Sequence, residues 1–169
     1  MIAKPGSTKT FLTKTFLAAA TIFAACQAGA AGFAPLDRAG ARALVNPAAH
    51  GRPTAIALWS SDCIHCKKNL RVLADLARRH KDLQVITVAT EPGSPELAPI
   101  LDATGIRGSR RYAYGDESPE ALAFALDPAW RGELPRTLLL DGKGGRAAVS
   151  GVLDEAGFRG PLGLPPARP

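Results

Sequence analysis

Cysteine and histidine are scarce in this chain, with three copies of each among 169 residues. The scarcity closes several classes of function. Structural zinc takes four ligands, commonly from two C-x-x-C or H-x-x-x-H pairs. Only one C-x-x-C is present, Cys63 to Cys66, and no histidine follows His80. A c-type haem anchor needs histidine directly after the second cysteine, and Lys67 stands there. The arginines are scattered, adjacent only at Arg78-Arg79 and Arg110-Arg111, which reads as solvated surface and gives no nucleic-acid signal. No internal repeat is present. The longest apolar run near the N-terminus, FLAAATIFAA from Phe16 to Ala25, is short of the roughly 20 residues of a membrane span.

No acidic residue precedes Asp37, whereas Lys4, Lys9 and Lys14 precede the apolar run and Ala28-Gly29-Ala30 follows it. A basic segment, a short apolar core and an A-x-A site are the pattern of a secretory signal peptide over residues 1–30. Two variants keep the chain at a membrane: an uncleaved leader acting as a tether, or lipidation at Cys26. Phe23-Ala24-Ala25-Cys26 resembles a bacterial lipoprotein box, with Phe23 where an aliphatic residue is usual. Each variant predicts an exported chain, periplasmic or otherwise extracytoplasmic. Cleavage after Ala30 leaves 139 residues, the size of one domain. It removes three lysines, so the formal charge falls from +6 to +3. Cys63 and Cys66 then remain as a lone pair in an oxidising compartment, where the simplest partner of each is the other.

The elements around that pair can be read from periodicity. Residues 31–53 are expected to hold a short helix, DRAGARALVN, and a turn-rich connection. Thr54 to Trp59, TAIALW, is a short apolar run suited to a buried strand. From Ile64 to His80 the period changes: Cys63, Cys66, Leu70, Leu73 and Ala77 fall on one helical face. LQVITVAT, Leu83 to Thr90, reads as a second strand. Ser94-Pro95-Glu96 and Ser118-Pro119-Glu120 are helix starts, each with serine as cap and proline in the first turn. Arg136 to Asp141, a Gly142–Gly145 turn and Arg146 to Val152 read as a closing hairpin. Residues 154–169, rich in proline and glycine, are expected to form a loose tail after a domain spanning 54–153.

This order predicts an α/β sandwich with a central mixed sheet flanked by helices, and it puts C-x-x-C at a strand-to-helix junction. Unpaired N–H groups and the helix dipole place positive charge at the first turn, which favours a thiolate at Cys63. Cys66, three residues on and facing inward, is the shielded thiol able to resolve a mixed disulfide. A redox pair, half of a metal site and a static clip all remain compatible with the spacing.

Beyond the pair, Trp59 lies four residues before Cys63, Lys67 follows Cys66, and Gly132-Glu-Leu-Pro135-Arg-Thr-Leu-Leu-Leu-Asp141-Gly142 stands far downstream. Together these resemble the thioredoxin fold and, within it, the exported TlpA/ResA-like thiol-disulfide oxidoreductases, over roughly 100 residues from Thr54 to Val152. The resemblance implies that Cys63 attacks, Cys66 resolves, and Pro135 is cis and faces the cysteines. It implies further that Leu134 offers backbone to a substrate strand and that no metal or organic cofactor takes part, while Trp59 is read as a strand-end residue that packs near the disulfide, with substrate contact as its second candidate role. The partners implied are protein thiols and disulfides and, for a reductase, a membrane thiol electron donor. Asp62 replaces the family's usual aromatic residue, and Ala57 stands where thioredoxins keep a buried aspartate, so no catalytic acid or base is carried over.

His65 and Asp62 are expected to modulate the potential with opposite signs. His65, placed as in DsbA-type oxidants, stabilises a Cys63 thiolate, while Asp62 repels it unless it caps the helix. The resemblance favours a reductase, with a DsbA-like oxidase or isomerase as the alternative. A Sco-like copper-delivery protein shares the fold, but its C-x-x-x-C is one residue longer and it adds a downstream histidine that this chain lacks. Trp130 is expected to pack the loop ahead of Pro135, and His50 and His80 to be surface or helix-end residues.

Overall fold

The computed structural model describes residues 1–2 and 32–166. The leader and the Cys26 motif lie outside the described residues. From the N-terminus the elements are strand β1 (Ala34–Leu36), helix α1 (Arg38–Leu44), a 3-10 turn (Pro47–Ala49), β2 (Thr54–Trp59), and α2 (Ile64–Arg79). They continue with β3 (Gln84–Pro92), α3 (Leu97–Asp102), β4 (Arg110–Tyr114), α4 (Pro119–Leu126), β5 (Arg136–Leu140), β6 (Arg146–Ser150) and α5 (Glu155–Leu162). The six strands form one mixed sheet in the order β1-β4-β3-β2-β5-β6. The first four are parallel, β5 runs antiparallel to β2, and β6 antiparallel to β5.

Alternation along β2 explains the layering, because successive side chains leave opposite faces of a strand. Ala55, Ala57 and Trp59 join Cys66, Leu70, Leu73 and Leu76 of α2 and Phe158 and Leu162 of α5 in one core. Ile56 and Leu58 join Ala41, Leu44, Leu122 and Leu126 of α1 and α4 in the other. All six β2 residues are buried, as expected of a central strand covered on both faces.

Three expectations need correction, and two edge strands went unread. The described part of the segment after Asp154 is not loose, since Glu155–Leu162 form α5. Asp154 caps α5 by accepting from the Gly157 N–H at 2.8 Å, Phe158 and Leu162 are fully buried, and Gly163 ends the helix at φ 65°. Two large side chains at helical spacing outweigh the glycine and proline around them. The edge strands β1 and β4 went unread, because β1 is only three residues long and β4 opens with two arginines. Helix α3 begins at Leu97 with no side-chain cap, and Ser94 to Glu96 form a turn ahead of it. His50 is buried, with its Nε2 at 2.8 Å from the Leu44 carbonyl. The turn at Asp141 fits its residues: Asp141 Oδ1 accepts from the Lys143 and Gly145 amides, and Gly142 and Gly144 take positive φ.

Candidate functional site

The site forms where the C-terminal ends of the four parallel strands meet the start of β5. After Trp59 the chain turns sharply, with the Cys63 N–H donating to Ser60 O at 3.2 Å. Glu91, at the end of the neighbouring β3, grips that turn by accepting from the Ser61 amide at 2.5 Å and the Ser61 hydroxyl at 3.0 Å. Thr90 beside it donates to Trp59 O at 3.3 Å.

Cys63 is the N-cap of α2. Its backbone is extended at φ −80°, and its Sγ accepts from the Cys66 N–H at 3.0 Å. Cys63 and Cys66 are joined by a disulfide across a Cα–Cα distance of 5.2 Å. The two sulfurs differ in access. Cys63 is half-buried at the rim of the core, and Cys66 is 1% exposed within it. The asymmetry follows from the helix itself, since the cap residue stands outside the first turn and its i+3 neighbour faces the sheet.

The two residues expected to modulate the potential flank Cys63 at the helix start. Asp62 is exposed and does not cap the helix, because Cys63 holds that position. His65 is exposed on the first turn, as is Ile64, with 69% of its surface open. Trp59 packs by the disulfide as expected but is fully buried, tilted against Phe33 with ring centroids 6.3 Å apart. Its indole is enclosed by the core and offers no surface to a substrate in this conformation.

Pro135 enters through strand register. Leu58 pairs with Arg136, so the residue before Arg136 lies at the end of the sheet from which Cys63 emerges. The Leu134–Pro135 peptide is cis, and Pro135 O accepts from the Gly151 N–H at 2.9 Å. Leu134 is half-buried and rests against both cores, one of which Cys63 also touches. Trp130 holds the loop ahead of it, as expected, by donating from Nε1 to Glu133 O at 2.7 Å.

Three features of the site were missed from sequence. Glu91 followed an apolar strand as one unremarked acid. Asn69, 2% exposed, donates from Nδ2 to Gly151 O at 2.9 Å and accepts from the Leu153 N–H at 3.0 Å, tying α2 to the segment after β6. Its signal was available: residues 66, 69 and 73 follow helical spacing, so a polar side chain stood on the buried face. The third is Arg136, whose guanidinium pairs with the buried Asp127 through Nε at 3.1 Å and Nη2 at 2.5 Å. Its Nη1 donates to the Ser150 hydroxyl at 2.8 Å, and that hydroxyl donates to Glu133 at 2.5 Å. The Ser150 hydrogen bond, followed by backbone amides and the nearby Arg136, holds the Glu133 carboxyl below its ordinary range.

No protein-family model and no curated protein matches the chain. Solved structures do. The structure of MTB DsbF is similar with a TM-score of 0.56 at 18% identity, covering 68% of this chain and 81% of that one. A secreted Mycobacterium tuberculosis disulfide oxidoreductase homologous to E. coli DsbE gives 0.52 at 13% identity, covering 68% and 82%. A thiol:disulfide interchange protein of the thioredoxin family from Chlorobium tepidum TLS gives 0.53 at 15% identity, covering 68% and 79%. With the mixed sheet, the flanking helices and the C-x-x-C at the start of α2, these similarities show that the chain has the thioredoxin-like fold.

Proposed function

We propose that the chain is an exported thiol-disulfide oxidoreductase that acts on cysteines of other proteins, in the reducing direction. One observation carries the reading: an accessible Cys63 caps α2, is bonded to a buried Cys66, and shares a sheet end with Leu134–Pro135. In the reduced protein the Cys63 thiolate attacks one sulfur of a substrate disulfide, forming a mixed disulfide and releasing one substrate thiolate. The Cys66 thiolate then attacks Cys63 Sγ, closes the intramolecular disulfide and expels the second substrate thiolate. The substrate gains two electrons and two protons, and the protein returns to the oxidised form. Leu134–Pro135 presents backbone to the substrate segment during the attack.

Export rests on the leader pattern of residues 1–30, with a periplasmic location, or attachment through a lipidated Cys26. Among the described residues no helix is long and apolar enough to cross a membrane. The reducing direction rests on the TlpA/ResA-like motifs, and it requires re-reduction by a thiol donor in the membrane. The test is the Cys63/Cys66 midpoint potential against glutathione, together with insulin reduction. Thioredoxin lies at about −270 mV and DsbA at about −120 mV. A value near the first with insulin turnover is expected. A value near the second refutes the direction, and failure to exchange with any disulfide refutes the activity.

A further inference from the structure

The polar groups around Leu134–Pro135 form a closed set that leaves the disulfide alone. Arg136 is the residue directly after Pro135 and is 11% exposed, and its partner Asp127 is 7% exposed. Asp127 Oδ1 also accepts from the Ala129 N–H at 3.2 Å and lies 3.7 Å from Arg146 Nη2, which itself donates to Leu126 O at 3.0 Å. On the other side, the Ser150 hydroxyl relays from Arg136 to Glu133, the residue directly before Leu134. Glu133 Oε2 accepts from the Arg131 N–H at 3.2 Å. Two cations, Arg136 and Arg146, face two carboxylates, Asp127 and Glu133, so the set is electrically balanced. The residues on both sides of the Leu134–Pro135 step are therefore held by one guanidinium, through a rigid fork that lysine cannot reproduce.

We propose that Arg136 is a positioning residue for substrate docking: clamped by Asp127 and linked through Ser150 to Glu133, it fixes the backbone that Leu134 offers to a polypeptide. The proposal rests on the reading above, and it deepens that reading by separating two things one site must do. Exchange chemistry needs Cys63, Cys66 and the helix start. Docking of a polypeptide also needs a backbone edge held in place, and the clamp supplies it. Small disulfides bring no polypeptide strand, so they bypass the clamp.

The experiment compares wild-type protein with Ser150→Ala, Ser150→Thr and Arg136→Lys, using insulin and cystamine as the two oxidised substrates. Ser150 lies on the edge strand β6 and is half-buried, so its alanine variant tests the relay even if Arg136→Lys folds poorly. Ser150→Ala and Arg136→Lys should raise KM for insulin and lower kcat/KM on the order of 10-fold, the scale of a sub-ångström misplacement. Their midpoint potentials and cystamine rates should stay at the wild-type values. Ser150→Thr keeps the hydroxyl and should restore insulin turnover. Parallel loss of the insulin and cystamine rates would mean the clamp is merely structural, and wild-type kinetics in Ser150→Ala would mean the relay positions nothing. Either result overturns the proposal. A wild-type protein inert toward cystamine as well as insulin overturns the oxidoreductase reading itself, a result distinct from either of these.

Discussion

Replacing Asn69 with alanine removes two hydrogen bonds at once, to Gly151 O and from the Leu153 N–H. Asn69 is 2% exposed, so its side chain lies inside the fold and its two partners depend on it for their hydrogen bonds. A typical hydrogen bond contributes about 1 kcal/mol net, but a buried group left without a partner costs about 1–3 kcal/mol. Gly151 is exposed and its carbonyl can be rehydrated, whereas the half-buried Leu153 amide is only partly reached by solvent. Counting one hydrogen bond at about 1 kcal/mol and one stranded amide at about 1–3 kcal/mol gives a loss of roughly 2–4 kcal/mol. For a domain of this size that lowers Tm by roughly 6–16 °C. Urea unfolding of the oxidised protein measures the loss. Hydrogen exchange locates it, since α5 follows Leu153 directly and should lose protection before the central strands do. The loss should also reach the site, because the Gly151 amide donates to Pro135 O. A change below about 0.5 kcal/mol, the range of ordinary surface substitutions, would refute the accounting by showing that both partners are satisfied without Asn69.

Three further outcomes follow from exposure and charge. In the reduced protein Cys63 should be alkylated much faster than Cys66 at neutral pH, because only Cys63 reaches the surface; equal rates by mass spectrometry would refute the assignment of roles. The carboxyls of Glu155, Glu133 and Asp141 are held below their ordinary range, first by hydrogen bonds from Arg79, Ser150 and the Lys143 amide respectively. A depressed carboxyl stabilises the fold above its unfolded pKa and loses that contribution as pH falls through the folded one. Tm should therefore be level near neutrality and fall from about pH 5 downward, and a Tm unchanged by acid would refute this. Burial pushes the Tyr114 hydroxyl up to about 12, and its Oη is buried without a partner among the described residues. Its raised pKa means stability present below pH 10 and lost as pH rises through about 12, and Tyr114→Phe should abolish that loss at little cost to Tm at neutral pH. A fall of more than about 1 kcal/mol in that variant would mean the hydroxyl has a partner.

What was legible before the structure was the part of the fold with strong periodicity. TAIALW and LQVITVAT are buried on both faces, and α2 shows its face through Cys66, Leu70 and Leu73. The unread parts share a physical cause, which is that their stability is tertiary. APL is too short to show a period and becomes a strand only because β4 pairs with it in register, Ala34 to Tyr112 and Leu36 to Tyr114. In α5 the glycines and Pro161 argue against a helix locally, and what decides is the burial of Phe158 and Leu162 against α2 and the sheet. Within the candidate site, the Cys63–Cys66 bond and the cis Leu134–Pro135 peptide were legible because both depend on residue type. Glu91, Asn69 and Arg136 were not, since each acts through a partner distant in sequence: Ser61, Gly151 and Leu153, and Ser150.

Cys63 as the cap of α2, in place of Asp62, changes how the two flanking residues weigh on the chemistry. A cap accepts a hydrogen bond from the first turn, and here the acceptor is Cys63 Sγ, 3.0 Å from the Cys66 N–H. When the disulfide opens, the Cys63 thiolate keeps that donor and gains a charge-assisted hydrogen bond at the positive end of the helix. Both effects favour the reduced form and draw the potential toward oxidising values. Asp62, freed from capping and exposed, contributes only its negative charge, adjacent to the thiolate. Glu91, at the end of β3, adds a second carboxylate at Ser61, the residue two before Cys63, partly offset by the two Ser61 donors it engages. The helix start would be present in any chain with this fold, whereas the two carboxylates belong to this sequence. The carboxylates therefore oppose the thiolate that the helix stabilises, and the balance between the two bears on the potential.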